Sequence, residues 1–131
     1  MKTVLITGSN GLLGQKLVHQ LQKDPNYKLI ATSKGKNRIR SITDFIYEPL
    51  DITSIPQVKG VFEKYQPDVL INTAAMTNVD ACEEDKEGCW KMNVTAVEYL
   101  LAECQKYDTH LIHLSTDFVF DGENGPYSES D

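Results

Sequence analysis

The chain has 131 residues, 40% of them hydrophobic and 24% charged, a balance that suits one soluble globular domain or part of one. Its formal net charge of −6 and its one short basic cluster, Lys34, Lys36, Arg38 and Arg40, argue against a nucleic-acid surface, which needs clustered cations. No apolar run is long enough to span a bilayer, so no membrane role is expected.

The first element lies at the N-terminus of the sequence, so no signal peptide is expected. Thr3-Val4-Leu5-Ile6-Thr7 is a β-branched and apolar run that stops at Gly8. Leu12, Leu13, Leu17, Val18 and Leu21 then recur at helical spacing. Between them, Gly8-Ser9-Asn10-Gly11-Leu12-Leu13-Gly14 has a G-x-x-G-x-x-G spacing, one residue longer in its first gap than the usual dinucleotide fingerprint. In that reading Gly8 turns the chain off the strand, Gly11 admits a pyrophosphate close to the backbone, and Gly14 brings the helix against the sheet. The free N–H groups and dipole of the helix start favour a phosphate there. A plain turn would use glycine too, but the flanking strand and helix favour nucleotide binding.

Leu29 to Thr32 reads as the second strand and Phe45-Ile46-Tyr47 as the third. A helix follows with Ile55, Val58, Val61, Phe62 and Tyr65 on its buried face, capped by Thr53 or Ser54. Val69 to Asn72 is a fourth strand, apolar throughout as expected of one covered on both faces. The longest helix is predicted from about Glu84 to Tyr107, with Asn93, Val97, Leu100, Leu101 and Cys104 on one face. His110 to Ser115 is the fifth strand, and Thr116 to Asp131 is loop-like. Strands alternating with helices imply a doubly wound α/β fold, a Rossmann-like parallel sheet whose ligand lies beyond the carboxyl ends of its strands. We expect residues 1–131 to form one dinucleotide-binding domain whose C-terminal part is missing.

Cys82, Cys89 and Cys104 are odd in number and contain no C-x-x-C pair, which speaks against a disulfide framework or zinc site and for a reducing, cytoplasmic setting. Cys104 lies on an apolar helical stripe and is expected to be a buried small hydrophobe. His19, His110 and His113 have no partners at metal-ligand spacing, so no metal is expected.

The strand ends carry the candidate chemistry. An NAD site places an acid about 20 residues past the glycine loop. Here Thr32-Ser33-Lys34-Gly35-Lys36-Asn37-Arg38 has none, and Ser33 and Lys34 with the other cations suit a 2′-phosphate, as in NADPH; a solvated basic loop is the alternative. Asp51 could accept from an adenine amino group while the Ile52 N–H donates to a ring nitrogen, or Asp51 could simply flank a helix. Asn72-Thr73-Ala74-Ala75 is polar, then small, and would let a flat cofactor approach the backbone. Ser115, Thr116 and Asp117 end the fifth strand, where hydroxyls could hydrogen-bond a carbonyl oxygen gaining charge and Asp117 could orient a proton donor; an ST-turn would use the same residues.

Together these segments resemble the extended short-chain dehydrogenase/reductase superfamily and, within it, the dTDP-4-dehydrorhamnose reductase branch. The resemblance rests on Thr7 to Gly14, Pro67 to Ala75, Val79-Asp80 with the acidic run after it, Asn93, and Ser115-Thr116-Asp117-Phe118-Val119-Phe120-Asp121-Gly122, with Pro126 to Asp131 also alike. It implies that Thr116 is the catalytic hydroxyl and Asp117 assists it. It adds Ser115 and Asn93 to the cofactor-binding residues, and it implies hydride transfer from NADPH, or NADH, to the C4 keto group of a nucleotide sugar, dTDP-4-dehydro-L-rhamnose. A homodimer stays open for the full-length form. The family's Y-x-x-x-K pair is absent, because Tyr27, Tyr47, Tyr65, Tyr99, Tyr107 and Tyr127 all lack a lysine four positions on. We therefore expect an N-terminal fragment that reduces no sugar alone. Two other readings remain: a nucleotide-sugar epimerase or dehydratase holding NAD, and a non-catalytic dinucleotide-binding regulatory subunit like the methionine adenosyltransferase β subunit.

Overall fold

The computed structural model describes residues 1–40 and 44–131. Five parallel strands, β1 (Lys2–Thr7), β2 (Tyr27–Ser33), β3 (Ile46–Pro49), β4 (Val69–Asn72) and β5 (His110–His113), lie in the order β3-β2-β1-β4-β5. The order reverses between β1 and β4, as a doubly wound sheet requires. Helices α1 (Leu12–Leu21), α2 (Ile55–Tyr65), α3 (Val79–Glu84), α4 (Lys86–Trp90) and α5 (Ala96–Tyr107) connect them, with a π-helical turn at Lys91–Thr95 and a 3₁₀ turn at Asp117–Val119.

The period-2 alternation of β1 and β2 builds the two layers. Val4, Ile6, Leu29 and Ala31 pack with Val18 of α1 and Ile39 on one face. Leu5, Ile30 and Leu70 pack with Val58, Val61 and Phe62 of α2 and with Ala96, Leu100 and Cys104 of α5 on the other. Burial has its expected effect on Cys104, whose thiol it pushes up to about 11, the neighbouring Glu103 charge adding to the rise.

The third strand runs slightly later than predicted and ends on Pro49. That is tolerated because β3 is an edge strand, whose outer side needs no N–H donor. Ser54 occupies the N-cap of α2, yet its side chain makes no capping bond, while the Thr53 hydroxyl turns to Asp51.

The predicted long helix runs without a break from Lys86 to Tyr107, as α4, the π-helical turn and α5, and begins two residues later than expected because the chain is interrupted just before it. Asp85 leaves helical geometry at φ −125°, ψ 73°, and its Oδ1 accepts from the Gly88 N–H at 2.9 Å, restarting the chain as α4. Asn78 caps α3 in the same way through Ala81. The buried stripe of α5 runs through Ala96, Leu100, Glu103 and Cys104, so Leu101 lies one position off it and is exposed, contrary to expectation. The break at Asp85 also corrects the reading of the cysteines. It folds α3 and α4 together, brings the Cα atoms of Cys82 and Cys89 to 5.1 Å, and the two form a disulfide. Cysteine spacing gave no sign of this, because the pairing depends on a helix break and not on a sequence motif.

Candidate functional site

The carboxyl ends of β1 to β4 converge on a cavity of about 230 Å³ lined by Gly8, Gly11, Ser33, Lys34, Leu50, Asp51, Ile52, Thr73, Ala74, Ala75 and Met92. Gly8 sits at φ +69°, and a Cβ there would lie 2.7 Å from the Ala74 nitrogen, so the turn brings two strand ends closer than any side chain permits. The Thr73 hydroxyl donates to the Thr7 carbonyl at 2.7 Å and ties the β4 end to the β1 end. The Gly11 N–H bonds the Gly8 carbonyl at 2.9 Å, which closes the loop and aims the first turn of α1 at the cavity. No side chain caps α1 and no acid stands in its first turn. Its leading amides therefore keep the partial positive charge that attracts an anion. A glycine-lined wall, an uncapped helix start and a cation at the rim fit a dinucleotide phosphate.

The predicted site residues divide into groups. Gly8, Gly11, Ser33, Lys34, Asp51, Ile52, Thr73, Ala74 and Ala75 line the cavity. The Leu12 and Leu13 side chains are exposed and do not line the cavity, and Gly14 packs beneath the loop. Ser9 is fully buried, with its N–H on the Thr32 carbonyl, and does not line the cavity. Asn72, expected among the cofactor contacts, is consumed by the fold: it is buried, accepts from the Thr7 hydroxyl and meets His113 Nδ1 at 3.0 Å. Asn93 grips the loop after β4 from the π-helical turn. Its Nδ2 donates to the Met76 carbonyl at 2.9 Å and its Oδ1 accepts from the Met76 N–H at 2.8 Å. Asn10 likewise turns from the cavity to the loop after β2. Leu50 and Met92 line the cavity unforeseen; Leu50 directly precedes Asp51 at a strand end, which was the available signal.

Ser115, Thr116 and Asp117 are exposed beyond β5 and do not reach this cavity. Thr116 caps the 3₁₀ turn, accepting from the Phe118 N–H, and donates to Asp117 Oδ1, both at 3.3 Å. This is the ST-turn geometry, with the Thr116 hydroxyl on the surface at the same end of the sheet as the glycine loop.

Lys34 and Asp51, assigned separately to a phosphate and an adenine, meet in an ion pair at 2.9 Å. The Lys34 side chain is 76% exposed and that of Asp51 only 21%. Burial pushes the Asp51 carboxyl up, but hydrogen bonds from Thr53 and Lys34 outweigh it and hold the group down at about 2. A carboxylate depressed below its unfolded pKa of about 3.9 stabilises the fold above that value and loses the contribution as pH falls through the folded pKa. Urea denaturation should therefore show stability declining between about pH 4 and pH 2, and Asp51→Asn should flatten that part of the acid limb.

A family model described as RmlD substrate binding domain matches residues 1–131. A dTDP-4-dehydrorhamnose reductase of Aggregatibacter actinomycetemcomitans is 33% identical across all of this chain, which spans 40% of that protein. The methionine adenosyltransferase 2 subunit beta of Danio rerio is 34% identical over 99% of this chain, which covers 38% of it. Among solved structures, a hypothetical dTDP-4-dehydrorhamnose reductase from Sulfolobus tokodaii superposes with a TM-score of 0.85 at 39% identity, over 100% of this chain and 45% of the other. The chain thus spans about two-fifths of the length of the curated relatives it matches.

Proposed function

Since the chain belongs to the RmlD substrate binding domain family over residues 1–131, we propose that it forms the dinucleotide-binding part of a nucleotide-sugar reductase. The cofactor is NADPH, with NADH as the lesser ligand, and the full-length reaction is reduction of the C4 keto group of dTDP-4-dehydro-L-rhamnose. The observation that carries this reading is the cavity at the β1–β4 reversal, with its glycine wall and the uncapped start of α1. The nicotinamide supplies a hydride when bound. The residues of this chain bind and orient: backbone at Gly8 and Gly11 admits the pyrophosphate, and Thr73 to Ala75 offer a surface without bulk. Lys34, whose own side chain is 76% exposed, can swing from the Asp51 carboxylate to a phosphate, which offers it a charge-assisted hydrogen bond of the same kind. The Thr116 hydroxyl, whose single proton now goes to Asp117 Oδ1 at 3.3 Å, turns that proton to the sugar carbonyl oxygen when substrate is bound, with Asp117 beside it.

Titration of the chain with NADPH, followed by amide NMR, should shift Gly11 to Gly14 and Thr73 to Ala75 in one saturable process. Silence at those amides up to millimolar ligand in a folded protein would overturn the reading.

The likeness to a methionine adenosyltransferase β subunit favours a second reading, a dinucleotide-binding regulatory subunit without turnover. Capture of a methionine adenosyltransferase catalytic subunit by the full-length protein, together with failure to reduce the sugar, would decide for it.

A further inference from the structure

The cation-bearing loop after β2 is held from behind by two residues that do not line the cavity. Asn10 Nδ2 donates to the Lys36 carbonyl at 2.9 Å and reaches the Tyr47 hydroxyl at 3.5 Å, while its Oδ1 accepts from the Arg38 N–H at 2.9 Å. The Tyr47 hydroxyl in turn donates to the Gly35 carbonyl at 2.8 Å and lies 3.2 Å from the Ser33 carbonyl. Burial pushes the Tyr47 phenol up despite the opposing Asn10 bond and Arg38 charge, so it remains a neutral donor at neutral pH. Ile39, buried in the α1-side core, pins the far end of the loop. The backbone at residues 33, 35, 36 and 38 is thereby stitched to the glycine turn and to β3, while the side chains of Lys34, Lys36 and Arg38 stay exposed. Long cationic side chains lose rotamer freedom when they grip a phosphate, and a fixed backbone keeps the backbone share of that ordering loss out of the binding step.

We propose that Tyr47 and Asn10 are positioning residues that set the preference for a 2′-phosphorylated adenosine over its 2′-hydroxyl counterpart, by holding the Lys34–Arg38 loop in one conformation beside the glycine turn. This rests on the dinucleotide reading above and extends it to residues that touch no ligand.

The probes are adenosine 2′,5′-bisphosphate and 5′-AMP, which differ only in the 2′-phosphate, titrated calorimetrically into the chain. Tyr47→Phe removes one hydroxyl and keeps the ring. It should weaken the bisphosphate about fivefold, the effect of one lost hydrogen bond, and leave 5′-AMP unchanged. Asn10→Ala should lower the affinity ratio of the two probes by at least as much. An unchanged ratio in both variants, or an equal weakening of both probes, would overturn the proposal and leave the dinucleotide reading intact. If the unaltered chain itself binds the probes equally or not at all, the 2′-phosphate reading fails, and the positioning role fails with it.

Discussion

Phe62→Ala should destabilise the fold by about 3–5 kcal/mol, the largest core effect we expect of a single side chain here. Phe62 is fully buried and is the bulkiest side chain to be so. It joins α2 to the sheet residues Leu5, Ile30 and Leu70 and to Leu100 and Cys104 of α5, and its ring centroid lies 6.0 Å from that of Tyr107. Truncation opens a cavity between three elements that cannot all close on it. Against a total stability of about 5–15 kcal/mol, that loss leaves little margin. Leu50 and Ile52 belong to the same packed cluster and also line the ligand cavity, so nucleotide affinity should fall with stability. Urea denaturation with an unchanged slope is the measurement. A loss below about 1 kcal/mol would mean that α2 and α5 do not share a packed layer with the sheet.

The parts of the molecule legible in the sequence are those written in local periodicity. Val69 to Asn72 reads as a strand because nothing polar interrupts it before Asn72, and it is one. Alternation in Val4-Leu5-Ile6 separates the two cores residue by residue. The glycine turn, read with its flanking strand and helix, marks the cavity. What escaped depends on pairs that only folding makes neighbours. Asp85 is one acid in an acidic run, and nothing in its identity distinguishes a helix break from a solvated helical face. Cys82 and Cys89 become partners only through that break. Lys34 and Asp51 carry separate plausible roles in sequence and neutralise each other in space. Asn72 looks like a polar ligand contact at a strand end, but Thr7 and His113 already take its amide. In each case the residue type was informative and its partner was not.

A substitution at Gly14 should abolish the site by displacing its helix. A Cβ there would lie 2.3 Å from the Gly8 carbonyl oxygen and 2.7 Å from the Ser9 Cα, both backbone atoms of the loop that the helix must pack against. Backbone cannot swing aside as a long side chain can, so α1 has to move off β1 and carry its leading amides away from the cavity. Gly14→Ala should cost about 3 kcal/mol, at the upper end for overpacking, and Gly14→Val more, with loss of saturable dinucleotide shifts in whatever remains folded. Gly60 supplies the matched control. It lies exposed inside α2 with nothing within 4 Å of where its Cβ would be. The same added methyl should there stabilise by up to about 1 kcal/mol, because alanine is the better helix former and meets no neighbour. Thermal melts and NADPH titrations of the two alanine variants side by side separate the effects. Opposite signs in stability, with binding lost at Gly14 and kept at Gly60, follow if close approach of α1 to the glycine turn builds the phosphate site. Intact binding in a folded Gly14→Ala chain would show that the site does not need that approach.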